Sequence, residues 1–213
     1  MNKSSHGTIF AVPLPDGMYI FGRVMLDIRA MLKRRLFPHD SPLPLFSDGY
    51  VVEMYSLVAV KPVYVPSPVL IPGACVQSKE VGAKWPVVGW ERVDPRTVEF
   101  PESLTGWAHP GGEAAFECGE IGYPVPFTRN DVFKRIGVLN SRLSSLYWGY
   151  TCLWALGRRD EIPSEWTGIT LAHSDLRFSP HREEVYRHLP FPMGMSYFEK
   201  QAQMGFHLER FYE

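Results

Sequence analysis

Two groupings in this 213-residue chain hold the residue types that chemistry needs. His181, Glu184 and His188 are spaced by three and four positions. On one helix the two histidines lie two turns apart on a common face with Glu184 between them, and two imidazoles with a carboxylate are a zinc-type ligand set. The plainer alternative is a solvated helix face on which Glu184 pairs with His188. His109 and Cys118 flank Gly111-Gly112, with Glu113 and Glu117 close by. A thiol and an imidazole are the least that nucleophilic catalysis requires. Nothing in the spacing brings these two together, and a cysteine inside Ala115-Phe116-Glu117-Cys118-Gly119 suits packing. His173-Ser174-Asp175 reads as a loop with local side-chain to backbone bonds. The chain has no phosphate-binding glycine loop, no H-E-x-x-H and no G-x-S-x-G. The expectation is a protein that is not an enzyme and uses no cofactor and no metal.

Charge is distributed more tellingly. Between Thr97 and Thr128 stand Glu99, Glu102, Glu113, Glu117 and Glu120, with no lysine or arginine, and Trp107, Phe116 and Tyr123 interleave them. Between Arg23 and Arg35 the balance reverses: Arg23, Arg29, Lys33, Arg34 and Arg35 oppose Asp27 alone. Each run reads either as a solvated face balanced elsewhere, the two segments even facing one another, or as a binding surface. The formal net charge of -1 gives no global pull towards nucleic acid or an anionic membrane.

These residues must be held by elements of two characters. Up to about residue 128, short apolar runs are cut by glycine, proline and other turn formers: Thr8–Pro13, Met18–Leu26, Tyr50–Val60, Val63–Val65, Val69–Val76, Trp85–Val93 and Ile121–Phe127. Regular short strands with such punctuation predict a curved sheet or a small SH3-like barrel. The first two runs flank Pro15-Asp16-Gly17 and are apolar at nearly every position, so both faces of that hairpin must be covered. Beyond residue 128, Thr128 or Asn130 can cap a helix carrying Asp131, Val132, Phe133, Ile136, Leu139, Leu143, Leu146 and Tyr147 on one face, weakened by Gly137. Ser179-Pro180 is a second helix start, and Ser196-Tyr197-Phe198-Glu199 has the form of a capping box. The fold class expected is α+β: a β-rich part over 6–128 and a mainly helical part over 129–213, packed on it as one unit. Cys75, Cys118 and Cys152 read as reduced thiols, and the most apolar windows hold charges and prolines that no membrane span tolerates. A cytoplasmic protein is expected.

Two phrases resemble a known family. Gly7-Thr8-Ile9-Phe10-Ala11-Val12-Pro13-Leu14-Pro15-Asp16-Gly17-Met18-Tyr19-Ile20-Phe21-Gly22-Arg23-Val24 resembles the opening of the bacterial polymorphic-toxin immunity family known as immunity protein 26. Lys84-Trp85-Pro86-Val87-Val88-Gly89 resembles its second phrase, in the right order. The resemblance covers roughly residues 6 to 125. It implies a mostly β fold and a protein that binds a cognate toxin to protect the producing cell, without catalysis. The phrase residues themselves read as structural.

With that partner in view, the acidic segment is the preferred contact. Toxins that attack nucleic acid carry basic clefts, where carboxylates stand in for phosphates and aromatic side chains supply anchors. Glu113, Glu117, Glu120, Trp107 and Tyr123 are therefore the candidate toxin-binding residues. The alternative is a nucleic-acid-binding β-barrel protein using the basic patch Arg29, Lys33, Arg34 and Arg35, which the near-neutral net charge disfavours.

Overall fold

The structure, a computed structural model, describes residues 5–37, 48–105, 113–137, 145–167 and 170–213. Strands β1 (Thr8–Pro13) and β2 (Tyr19–Asp27) form the expected hairpin. Its turn is closed by Gly17, at φ 82, and by Asp16 Oδ1, which accepts the Met18 N–H at 2.9 Å. A glycine is needed there because a Cβ at positive φ meets its own backbone. A six-residue helix α1 (Ile28–Lys33) comes next, then β3 (Gly49–Ala59), β4 (Val69–Gln77) and β5 (Val87–Trp90). These strands make an antiparallel sheet in the order β4-β3-β2-β1-β5. The sheet is open, with β4 and β5 at its edges, so of the two architectures expected the barrel does not close. Val63–Val65, expected as a strand, lies in the loop between β3 and β4.

A second sheet, in the order β6-β7-β8, is built from β6 (Glu102–Thr105), β7 (Glu113–Cys118) and β8 (Ile121–Thr128). The first two were not legible as strands. β6 is four residues long, and β7 is Glu-Ala-Ala-Phe-Glu-Cys, whose alanines have little β preference.

Both faces of the hairpin are covered. Phe10, Val12, Ile20, Val24, Val52 and Met54 point to one side and meet Trp85 with Trp148, Cys152 and Leu153 of helix α2 (Ser145–Ala155). On the other side, Met25, Val51 and Cys75 share a core with Phe116 of the second sheet and with Tyr186, Tyr197 and Phe211 of the C-terminal segment. Each such large side chain, fully buried, contributes about 1.5–3 kcal/mol. The remainder of that side, Ala11, Phe21 and Tyr55, is roofed by Tyr64 from the β3–β4 loop, whose ring lies 5.9 Å from Phe21 and 5.3 Å from Tyr55. Alternation fails in the sequence because both faces are buried.

The helical part is more broken than expected. The helix starting after Thr128 is a single wide turn, Asp131–Ile136, ended by Gly137 at φ 68. Thr128 is its cap, accepting the Asp131 N–H at 3.1 Å on its hydroxyl. Leu139 and Leu143 lie outside the described residues. Helix α3 covers only Arg182–Tyr186. Helix α4 (Tyr197–Gln203) starts on the expected capping box, with Ser196 and Glu199 bonded reciprocally, and stops before Gly205. Short 3₁₀ turns fill the rest, as a segment interrupted by Pro163, Pro180, Pro190, Pro192 and Gly194 would dictate. No helix among the described residues is long and apolar enough to cross a membrane.

Candidate functional site

The acidic segment is mostly spent inside the molecule. Glu102 on β6 accepts hydrogen bonds from Arg182 Nε at 2.8 Å and Nη2 at 2.9 Å, from Lys200 Nζ at 2.9 Å and from the Tyr186 hydroxyl. Lys200 is only 1% exposed and also donates to the Tyr186 oxygen at 2.7 Å. Burial works to raise the Glu102 carboxyl. The Arg182 hydrogen bonds, the Lys200 charge and the Tyr186 hydroxyl overcome it and hold the group below its ordinary range. Next to it, Asp175 clasps Arg177, accepts the Glu102 backbone N–H at 3.2 Å, and so aims Arg177 at the Gly73 carbonyl on β4. Glu99 accepts the Tyr197 N–H at 3.1 Å, and burial raises its carboxyl.

The predicted contact residues are divided by this arrangement. Glu120 is 3% exposed and bound to Arg210, and Glu117 is 8% exposed on β7. Glu113 is exposed at the start of β7, Tyr123 is half-buried on β8, and Trp107 lies outside the described residues. Glu102 and Glu120 take their cations from the C-terminal segment. Of the readings open for the two runs, balance by charges elsewhere in the chain holds for Glu102 and Glu120, and neither pairs with a cation of the 23–35 run. The signal was available: Arg177, Arg182, Lys200 and Arg210 all stand in a later stretch meant to pack on the sheets.

The basic run behaves in the opposite way. Arg23, on β2, is drawn into the sheet, pairing with Glu53 at 2.8 Å and Glu91 at 3.5 Å. Arg29, Lys33, Arg34 and Arg35 are all exposed on α1 and the turn after it. The acid of that run, Asp27, caps α1 by accepting the Ala30 N–H at 2.9 Å. Arg29, Lys33 and Arg35 have no carboxylate partner among the described residues, and Arg34 donates to the main-chain oxygen of Glu213 at 3.2 Å. Arg35 stops the helix at φ 55, a left-handed conformation that favours glycine.

The two chemical groupings come apart. Helix α3 starts two residues later than Ser179-Pro180 suggested, with His181 at its N-cap position making no capping bond; His181 meets Glu184 at 3.4 Å, while Glu184 binds Arg135 at 2.7 Å. The helix ends at Tyr186, so His188 leaves that face and packs edge-on against Phe127, with ring centroids 5.4 Å apart. No cluster of three metal-ligating side chains occurs among the described residues. Cys118 is buried in the core, and burial pushes its thiol well above its ordinary range, the wrong direction for a nucleophile. His109 lies outside the described residues.

What the sheets do present is a junction of the two resembling phrases. β1 pairs with β5, so Thr8 stands opposite Trp90 and Ile9 opposite Gly89. Trp85 stacks on Phe10 at 5.4 Å, filling a core pocket as expected of it. Gly7, at φ 83, has the Trp90 indole so close that a Cβ would stand 2.8 Å from its Nε1. The two phrases are thus adjacent strands of one sheet, separated by 60 or more positions in the chain.

Residues 5–104 match the model of the Immunity protein 26 family. The match takes in β1 to β5 and both phrases, a little under half of the chain, so the resemblance to that family is shown over this span. No curated protein and no solved structure matches the chain. The matched segment ends within β6, and the remaining residues, 105–213, supply the rest of the second sheet, α2 and the C-terminal cations.

Proposed function

We propose that this protein is an immunity protein that binds one cognate toxin and neutralises it by covering a surface the toxin needs, without catalysis. The match of residues 5–104 to the Immunity protein 26 family carries the reading. It gains support from where the matched phrases lie, since they meet as neighbouring strands and build a single surface. The burial of Cys118 and the dispersal of His181, Glu184 and His188 fit a binding protein. In the acidic segment, Glu113 and Tyr123 are the described candidates that retain surface, and a contact through them would use that end of β7 and its neighbour β8.

The test is co-expression with the toxin encoded beside this chain's gene. Cells making both proteins should grow, and the two should copurify in equal amounts. Growth arrest despite normal levels of this chain would sink the reading.

A further inference from the structure

The matched sheet ends in an unusual surface. Trp90, the last residue of β5, is 66% exposed although it belongs to the edge strand of a sheet. Its indole is fixed: Nε1 donates to the His6 carbonyl at 2.8 Å, and Gly7 leaves room for the ring. The strand also exposes Val87, and edge strands with apolar residues outward invite pairing with another chain. Beside Trp90 runs a groove of about 840 Å³ with Ser5, His6 and Tyr212 on its floor and Arg92 on its wall. At Ser5 it meets a second hollow of about 320 Å³, lined by Asp27, Arg29, Lys33, Tyr50 and Ser78. The His6 ring meets Tyr212 in a tilted contact at 4.8 Å, and Arg34 donates to the main-chain oxygen of Glu213, the residue after Tyr212, at 3.2 Å, so α1 lies close to the first hollow as well as the second.

The charge around this path has one dominant sign. Arg29, Lys33, Arg35 and Arg92 are exposed and without carboxylate partners among the described residues, while of the acids nearby Asp27 is occupied with the α1 cap, Glu91 with Arg23 and Glu213 with Arg34. A fixed exposed tryptophan beside unpaired arginines is the composition of an interface centre. Unpaired cations in such a place select a partner of opposite sign.

We propose that the groove from Trp90 past Ser5 and His6 to Arg29, Lys33 and Arg34 is the docking surface for a partner protein whose matching face is acidic, with an apolar side chain seated on Trp90. The partner is the cognate toxin, and in that respect the assignment rests on the immunity reading. Nucleic acid would use the same cations, but the groove's anchor stands at an edge strand and the net charge of -1 supplies no long-range attraction to a polyanion.

The experiment measures binding of the adjacent-gene toxin, inactivated in its active site, to the full chain and to three variants. Each variant is first checked for an unchanged melting curve. Trp90→Ala and the double variant Arg29→Glu/Arg34→Glu should each weaken binding by on the order of tenfold or more, and Glu183→Lys, an exposed position on α3 that lines neither hollow, should leave it unchanged. The charge variant should also lose the salt dependence of the unaltered chain. If the unaltered chain binds and both groove variants bind equally well, the groove assignment is wrong and the toxin reading stands. If the unaltered chain does not bind the toxin, the reading fails and takes the assignment with it. A parallel titration with single-stranded homopolymer RNA covers the other macromolecule: RNA binding that is lost in the charge variant overturns the acidic-protein assignment.

Discussion

The acidic segment between Thr97 and Thr128 and the basic run between Arg23 and Arg35 look like mirror images in the sequence, and the fold treats them oppositely. Glu102 and Glu120 turn inward and meet Arg182, Lys200 and Arg210. Arg29, Lys33, Arg34 and Arg35 turn outward and meet solvent. Charge density along the chain therefore says little about surface potential. What decides it is whether a complementary element packs over the run. The acidic strands are covered by a segment that brings cations of its own, whereas α1 is a short helix at the rim of the sheet whose single acid is used as its cap.

The sharpest way to break this contrast is at its buried pole. Glu102→Gln removes the charge that Arg182 and Lys200 share, leaving an ammonium at 1% exposure without its carboxylate. The expected loss is about 3–5 kcal/mol in chemical denaturation, since an uncompensated buried charge is the costly outcome. A loss under about 1 kcal/mol would mean the cluster is no more than a surface pair.

Acid probes both regions at once, in different windows. His6, beneath the groove, is pushed by burial from 6.5 to about 4. Between those values the unfolded chain binds a proton that the folded chain refuses, so stability should fall by up to roughly 3 kcal/mol as pH drops from about 6.5 to 4. The Glu102 carboxyl is held below its ordinary 4.5, so its contribution is intact above that value and lost only below it. Denaturation midpoints in a His6→Gln variant should lose the first slope and keep the second. A slope unchanged by that variant would place the titration elsewhere.

At the exposed pole the effects are smaller and can change sign. Arg35→Gly should stabilise by about 1 kcal/mol, because it relieves a left-handed conformation at a helix end. Destabilisation by the same variant would show that the Arg35 side chain is held by something beyond the described residues. Smallest of all, Arg29→Ala should move the thermal midpoint by no more than the equivalent of about 0.5 kcal/mol, as exposed substitutions do. A larger loss would remove the contrast between the two runs.

Much of the fold was legible in the chain itself. The hairpin of β1 and β2, the β3 and β4 strands, the turn at Asp16-Gly17 and the capping box at Ser196 are fixed by local rules, and local rules can be read from a few consecutive residues. The strands β6 and β7 were not, because their pairing is imposed by neighbours and their side chains show little preference of their own. Of the candidate site, the sequence supplied the residue types and missed Trp90, which looks like any strand-end aromatic until its exposure and its bond to His6 are seen.

The sequence by itself determined that this chain is α+β, that its hairpin needed cover on both faces, and that residues 5–104 resemble the Immunity protein 26 family. The tertiary structure alone decided which charges are spent and which are free. Pairing across the fold joins residues nearly a hundred positions apart, such as Glu102 with Lys200 and Glu120 with Arg210, and no periodicity in the chain encodes the distance between them.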